Sequence, residues 1–243
     1  MKTLLLVSLA LAAALPPRTA ATVVLRFNRP TPGATLPAGW KTYRMSRHRP
    51  AATASLVESN GREVLHIDAD HSADAVAHRL DLPAASTLEW RWKVDHSVAR
   101  ANIAHRRSDD ASARVYVFFA VPRKRLSWYQ RLKLDIAKHV LGHPLPTAAL
   151  CYIWDNRHAV GSIAKSPFFA GVRTIVVESG NAKAGTWQSE RRDLAADYRA
   201  AFGHAPPRIS GIALAADTDN TGSRAQAWFG GIELVPDRPA AKH

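Results

Sequence analysis

The sequence predicts a mainly β protein, a jelly-roll-like antiparallel β-sandwich with two short covering helices. Short segments in which apolar and polar residues alternate recur along the chain, with turn residues between them. Asn60-Gly61 separates two of these segments, and this dipeptide is the strongest short-range signal of a β-hairpin. With 47% hydrophobic and 22% charged residues among 243, the composition is that of a globular domain rather than a disordered or fibrous chain.

The predicted strands are spaced as in a sandwich. They comprise residues 23–27, 40–45, 54–58, 64–68, 75–82, 88–94, 114–121, 148–155, 172–179, 209–216 and 226–235. Alternation is strictest in residues 88–94, whose odd and even positions fall on opposite faces of the strand. The apolar face carries Leu88, Trp90, Trp92 and Val94, and the polar face carries Glu89, Arg91 and Lys93.

Two helices are expected to cover an edge or end of the sandwich. Residues 126–141 place apolar side chains at helical spacing and end before Gly142. Residues 194–202 follow Asp193, which suits an N-terminal cap, and precede Gly203, which suits a C-terminal cap. The first helix lies in a basic stretch, which we interpret as a solvated outer face. The alternative is a surface that binds an anionic membrane or glycan.

The N-terminus is typical of an export signal. Lys2 precedes an apolar stretch at residues 4–15, and Pro16-Pro17 with the small residues at 19–21 then offers a cleavage site. We expect a signal peptide at 1–21 and a single sandwich domain at 22–243. The protein would be periplasmic or secreted from a bacterium, with no transmembrane segment after cleavage.

The chain is strongly basic, with 33 Lys and Arg against 20 Asp and Glu, a formal net charge of +13. Removal of Lys2 and Arg18 with the signal leaves 31 against 20, or +11. Such a charge suits nucleic acid or an anionic surface. Export and the lack of an aromatic-rich RNA-binding motif disfavour nucleic acid. We therefore expect a glycan or an anionic envelope polymer as partner. The single cysteine, Cys151, excludes an internal disulfide.

Two segments carry residue types that bind metals. His66, Asp68 and Asp70 alternate along one predicted strand and share a side, but no further histidine motif accompanies them. Residues 217–222 open like a calcium loop, yet Trp228 stands where the closing bidentate Glu belongs. We expect a hairpin turn, no metal site and no cofactor, with a loosely bound calcium ion at 217–222 as the alternative.

Several predicted strands carry polar and aromatic side chains on one face. If these faces fall on one sheet, they form a surface of carboxylates, guanidinium groups and rings, which is the kind of surface that binds sugars. The alternative is a solvent-exposed sheet face with cross-strand ion pairs. The residues concerned are Glu89, Arg91, Lys93, Arg114, Tyr116, Phe118, Trp154, Asp155, Asn156, Glu178, Ser179, Asp217 and Trp228.

Motifs at these positions resemble a bacterial exported family known only as a domain of unknown function, DUF3047. They are residues 88–94, 109–111, 113–117, 150–156, 177–180, Trp187 with 189–193 and Asp197, 217–222 and 227–230. The resemblance spans roughly residues 40 to 234. It implies a single exported domain whose sandwich is similar to carbohydrate-binding modules. The family has no established activity, so the resemblance transfers no catalytic residue.

Strand alternation and the resemblance together predict ten ligand-binding residues. Trp154, Tyr116 and Trp228 would stack on the ligand, and the polar residues would hydrogen-bond to it. The full set is Asp110, Arg114, Tyr116, Trp154, Asp155, Glu178, Arg191, Asp217, Asp219 and Trp228.

The predicted function is non-catalytic binding of a carbohydrate or another polar envelope ligand. One alternative is a glycoside hydrolase that uses Glu178 with Asp155 or Asp217. Another is a polysaccharide lyase, with Tyr116 as base beside Arg114. A third alternative is a structural envelope protein that associates through its basic surface.

Overall fold

The computed structural model describes residues 21–28, 36–46, 48–84, 86–122, 124 and 147–236. The expected signal peptide, apart from its last residue, the expected helix at 126–141 and most of the basic stretch around it lie outside these ranges. No helix within them is long and apolar enough to cross a membrane.

Thirteen strands of the described chain form two sheets. The six-stranded sheet has the order β11–β6–β13–β4–β3, and β1 also pairs with β13. Its strands are β1 (Val23–Leu25), β3 (Thr53–Ser59), β4 (Arg62–Asp70), β6 (Ser86–Val94), β11 (Gln188–Asp193) and β13 (Arg224–Pro236).

The seven-stranded sheet has the order β2–β5–β12–β7–β8–β10–β9. Its strands are β2 (Trp40–Tyr43), β5 (Ala75–Leu82), β7 (Ala111–Phe119), β8 (Ala148–Asp155), β9 (Ile163–Lys165), β10 (Val172–Ser179) and β12 (Ile209–Asp217). The mainly β sandwich that the sequence predicts is therefore confirmed. One pair departs from antiparallel order, since β8 and β10 run parallel.

Two strands, β9 and β11, are not predicted by the alternation of apolar and polar residues. β11 reads Gln-Ser-Glu-Arg-Arg-Asp, without an apolar position, and β9 has only three residues. Both lie at an edge of their sheet, where one side of the backbone has no neighbouring strand and the buried apolar face that marks inner strands is not required.

The two sheets pack through large aromatic side chains. Trp90 and Trp92 on β6 face Tyr152 and Trp154 on β8, with ring centroids 5.3 Å apart for Trp90–Tyr152 and 5.9 Å for Trp92–Trp154. All four side chains are buried, as are Leu88 and Val94 on the same face of β6. The strict alternation in residues 88–94 thus identified the core face of this strand.

Turn and cap chemistry also follow the sequence. Asn60 and Gly61 both adopt positive φ, +53° and +71°, as the two-residue hairpin between β3 and β4 requires. Helix α1 (Leu194–Phe202) begins where the Asp193 carboxylate accepts a hydrogen bond from the backbone N–H of Ala196. It ends at Gly203, whose φ of +79° is left-handed.

Replacement of Trp92 by Ala should destabilise the fold by about 3–5 kcal/mol, because it opens a cavity between the sheets. Trp228 lies in the neighbouring strand of the same sheet, but on its outer face. Trp228→Ala should therefore change stability by only about 1 kcal/mol or less. Urea unfolding of both variants measures the difference, and equal losses would contradict this assignment of faces.

Candidate functional site

The structure distributes the ten predicted ligand residues over four places. Six lie on the outer face or at the end of the seven-stranded sheet: Asp110, Arg114, Tyr116, Asp155, Asp217 and Asp219. Trp154 is in the core, Glu178 lies near the open edge between the sheets, and Arg191 and Trp228 are on the outer face of the six-stranded sheet. The single surface does not form, because β6 and β7 belong to different sheets and their polar faces point in opposite directions.

Trp154 does not present a stacking face to solvent. Its side chain is 1% exposed, and its indole N–H donates to the carbonyl of Gly180 at 2.9 Å. The expectation that Trp154 stacks on a ligand is therefore corrected, since the ring fills the space between the sheets.

A buried ionic network holds the predicted residues at the end of the seven-stranded sheet. The Nε of Arg114 lies 2.9 Å from Oδ2 of Asp217, and its Nη2 donates to the Asp109 carboxylate at 3.0 Å and carbonyl at 2.7 Å. Burial raises the pKa of Asp217 well above its ordinary value, against the opposing charge of Arg114, and the neighbouring carboxylates raise it further.

The turn at residues 217–222 is held by Asp110. Oδ1 of this fully buried carboxylate accepts from the backbone N–H of Asn220 at 3.1 Å, and Oδ2 accepts from the backbone N–H of Thr221 at 2.7 Å. Oxygens of Asp110, Asp217 and Asp219 come within 4.8 Å of one another, so the geometry brings three carboxylates together. Within the chain, Arg114 pairs with Asp217, and the backbone N–H groups of the turn donate to Asp110.

The other metal candidate has its own partners. His66 Nε2 lies 2.9 Å from Oε1 of Gln226, and Asp68 pairs with Arg224 at 2.6 Å. Asp70 contacts the ring of the next residue, His71, at 2.5 Å. His66, Asp68 and Asp70 therefore each have a separate partner within the chain.

Tyr116 is poorly suited to act as the base of a lyase. It lies beside Arg114 on the same face of β7, as its position two residues away predicts. However, burial raises its pKa well above the ordinary value, and Arg114 only partly opposes this. A base must release its proton readily, and this phenol holds its proton.

A carboxyl pair lies at the open edge between the sheets. Oε1 of Glu190 accepts from the indole N–H of Trp92 at 3.2 Å, and Glu178 accepts from Lys183 at 2.7 Å. Burial raises the pKa of Glu190 to about 7, and the charge of Glu178 adds to this rise. Among the described carboxylates, Glu178 thus raises the pKa of Glu190. Asp217, one of the two predicted partners of Glu178, instead interacts with Asp109, Asp110 and Asp219.

A row of rings and cations crosses the outer face of the six-stranded sheet; we call it the tryptophan row. Trp228 pairs in register with His66 on one side and Lys93 on the other. Its ring is stacked on His66 at 4.8 Å, and the Lys93 ammonium lies 4.3 Å from its centroid. The row continues to Trp187, whose centroid lies 5.8 Å from Lys93 and 4.6 Å from the Arg91 guanidinium.

A cleft of ≈ 530 Å³ adjoins the tryptophan row at Arg91, where β13 changes partner. β13 pairs with β4 up to Phe229 and with β1 from Ile232, which leaves Gly230-Gly231 between the two registers. Arg91 lies across Gly230, where an added Cβ would come 2.4 Å from its side chain. Three arginines and two glutamates are among the lining residues: Arg26, Arg62, Arg91, Glu63 and Glu233.

The model of one protein family matches residues 38–233, most of the chain, and is described as protein of unknown function (DUF3047). The chain belongs to the DUF3047 family. A search of curated proteins found no match to this DUF3047 protein.

Solved structures similar to the DUF3047 protein include carbohydrate-related domains. A family 12 xyloglucanase from Bacillus licheniformis is 8% identical, with 88% of this chain and 99% of that chain covered and a TM-score of 0.46. The carbohydrate-binding module CBM29-2, in complex with mannohexaose, is 8% identical, with 89% and 94% covered and a TM-score of 0.37.

The Endo-D glycoside hydrolase domain from Streptococcus pneumoniae R6 is 10% identical, with a TM-score of 0.35. The match covers 82% of the DUF3047 protein and 22% of that structure, so this chain spans about a fifth of its length.

Sequence reasoning missed Trp187 and Glu190 as site residues. Trp187, Ser189 and Arg191 alternate, so they share a side, and Glu190 points the other way into the sandwich. This alternation was the available signal. A segment without apolar positions is not typical of a strand, so the pattern predicts no faces there.

Wild type should lose stability between about pH 5 and about pH 8, and the Glu190→Gln variant should lose less. The variant is therefore expected to gain stability over wild type as the pH rises. Because folding raises the pKa of Glu190 from 4.5 to about 7, the folded state binds more protons between these values. Stability from this group is therefore present at low pH and lost as pH rises through 7. We expect a relative gain of about 1 kcal/mol after allowance for partial exposure.

Urea unfolding at the two pH values measures this gain. Glu58→Gln, at an exposed position of β3, is the matched control and should leave the pH dependence as in wild type. An unchanged pH dependence in Glu190→Gln would contradict the assignment.

Proposed function

We propose that this DUF3047 protein is exported to the bacterial periplasm or secreted, and that it binds an anionic glycan of the cell envelope without converting it. The observation that carries the proposal is the tryptophan row, in which Trp187 and Trp228 alternate with Arg91 and Lys93 on one outer sheet face. Rings and cations that alternate at contact distance match a polymer that alternates apolar sugar faces with acidic groups.

The chemistry of the row supports an acidic rather than a neutral sugar. Indole rings contact the C–H face of a sugar, and cations bind carboxylate or sulfate groups through charge-assisted hydrogen bonds. Lys93 has a flexible stem, so its ammonium can leave the Trp228 ring for an acidic group of the ligand. The ring face that it leaves is then available for stacking.

The cleft at Gly230-Gly231 extends the row to a larger site. It brings the guanidinium groups of Arg26 and Arg62 to the same outer face as Arg91. Its volume lies within the range of small-molecule sites, roughly 300–1,000 Å³. A polymer could therefore occupy both the tryptophan row and the cleft, and the binding free energies of several weak contacts would add.

Export is supported by the N-terminal sequence. Residues 1–21 have the charge, apolar stretch and small residues of a signal peptide, and the basic remainder, at +11, suits an anionic envelope.

Replacement of Trp228 by Ala should weaken binding to an acidic oligosaccharide at least tenfold, since a lost stacking contact of about 1.4 kcal/mol corresponds to that factor. Isothermal titration with oligogalacturonate as acidic probe and cellohexaose as neutral probe measures the effect. Lys93→Gln should reduce binding to the acidic probe and leave the neutral probe unaffected.

Phe118→Ala serves as matched control, because it removes a half-buried ring from the outer face of the seven-stranded sheet, which the tryptophan row does not include. If wild type binds no glycan on an array of acidic and neutral oligosaccharides, the proposal fails. If affinity falls as the salt concentration rises but is unchanged in Trp228→Ala and Lys93→Gln, the protein binds through its basic surface instead.

A second candidate function is glycoside hydrolysis, which the Glu178–Glu190 pair favours. A general acid must hold its proton near the working pH, and burial gives Glu190 a pKa of about 7. Glu178, ion-paired with Lys183, would be the second carboxylate. Trp92 positions the acid through its indole N–H.

For this second candidate, Glu190→Gln should lower the rate of reducing-end release by about 10²–10⁴-fold, the usual contribution of a general acid. The assay compares acidic and neutral polysaccharides from about pH 4 to about pH 9, with Glu58→Gln as unaffected control. Release of no reducing ends by wild type from any substrate would end the hydrolase hypothesis.

A further inference from the structure

A second cationic site lies at one end of the sandwich, apart from the tryptophan row. An open cleft of ≈ 550 Å³ is found there, and we call it the arginine cleft. Its lining residues are Arg49, Arg106, Arg107, Phe168 and Asn220. None of them belongs to a strand, since they come from four separate connections of the chain.

The positive charges of the arginine cleft are poorly balanced. Neither Arg106 nor Arg107 forms an ion pair with another described residue, and the Nε of Arg49 lies 3.9 Å from Oδ2 of Asp219. Among the ion pairs between described residues, the lining arginines thus take part in only one, the long Arg49–Asp219 pair. Because a guanidinium group without an ion-pair partner attracts anions, an anion that enters this cleft gains charge-assisted contacts.

The buried ionic network bonds to the backbone segments that carry Arg106, Arg107 and Asn220. Arg106 and Arg107 lie in a 3-10 turn at residues 106–108, and the next residue, Asp109, is bonded twice by the buried Arg114. Asn220, another lining residue, donates to Asp110 through both its backbone N–H and its side-chain amide. The cationic groups therefore start from anchored backbone, which lowers the entropy lost when a ligand binds.

An aromatic ring lies within the cation cluster. Phe168 is 38% exposed, and the guanidinium carbon of Arg106 lies 4.7 Å from its ring centroid. A guanidinium group binds phosphate oxygens in pairs, and a ring beside it can contact the apolar face of a sugar. The amide of Asn220 offers a partner for a hydroxyl group.

We propose that the arginine cleft binds the phosphate group of a phosphorylated sugar, either free or as the headgroup of a glycolipid. The arginines take the phosphate, Phe168 contacts the sugar ring, and Asn220 bonds a hydroxyl. This site is independent of the tryptophan row, which binds through the six-stranded sheet.

The test is titration of wild type with glucose 6-phosphate, glucose and inorganic phosphate, and sedimentation with phosphatidylcholine vesicles with and without lipid A. Arg106→Gln and Arg107→Gln should each weaken binding of the phosphorylated probe at least tenfold. Phe168→Ala should weaken binding of glucose 6-phosphate but not of inorganic phosphate. Arg199→Gln removes an exposed arginine on α1 and should have no effect.

The two sources give different outcomes. Arginine-dependent binding of glucose 6-phosphate indicates a soluble ligand, and arginine-dependent binding to lipid A vesicles alone indicates a headgroup. The proposal is overturned if wild type binds neither glucose 6-phosphate nor lipid A vesicles. It is also overturned if Arg199→Gln loses as much affinity as the cleft variants, or if inorganic phosphate binds as tightly as the sugar phosphate. Trp228→Ala should leave this binding unchanged, so failure here is distinguishable from failure of the glycan proposal.

Discussion

The contact between Trp92 and Trp154 sets the relation between the two sheets, and the placement of the polar groups follows from it. These rings lie 5.9 Å apart and are both buried, so β6 and β8 turn their apolar faces toward each other. The polar face of β6, with Glu89, Arg91 and Lys93, is then directed outward, away from the other sheet. The two indole N–H groups reach Glu190 and the carbonyl of Gly180, so the aromatic core also defines the carboxyl pair at the open edge.

Arg114 has a comparable role at the end of the seven-stranded sheet. To bury a guanidinium group is costly unless it is paired with an opposite charge, and here Asp109 and Asp217 are its ion-pair partners. These contacts join the beginning of β7 to the end of β12. Together with Asp110 they hold the turn at 217–222 and the turn at 106–108. We therefore interpret the network as an element that positions exposed groups, rather than as a surface that contacts a ligand.

The excess of positive charge can contribute to ligand binding only where the cations are not used in surface ion pairs. Many exposed arginines are paired, as Arg208 is with Asp81 and Arg224 with Asp68, and these pairs contribute little beyond solubility. In the tryptophan row and the arginine cleft, by contrast, the cations lie beside aromatic rings. A ring next to a cation selects for molecules that carry both an apolar face and an anionic group, which net charge by itself does not.

The sequence by itself determined the sandwich class, most strand positions, the hairpin at Asn60-Gly61, the capped helix α1 and the buried face of residues 88–94. These features depend on local alternation and turn chemistry, which a single segment contains. Only the tertiary structure decided which strands share a sheet. Trp154 and Trp228 look alike in sequence, yet one fills the core and the other lies outside. The face that each strand turns toward the other sheet decides this, because it depends on contacts between segments far apart in the chain.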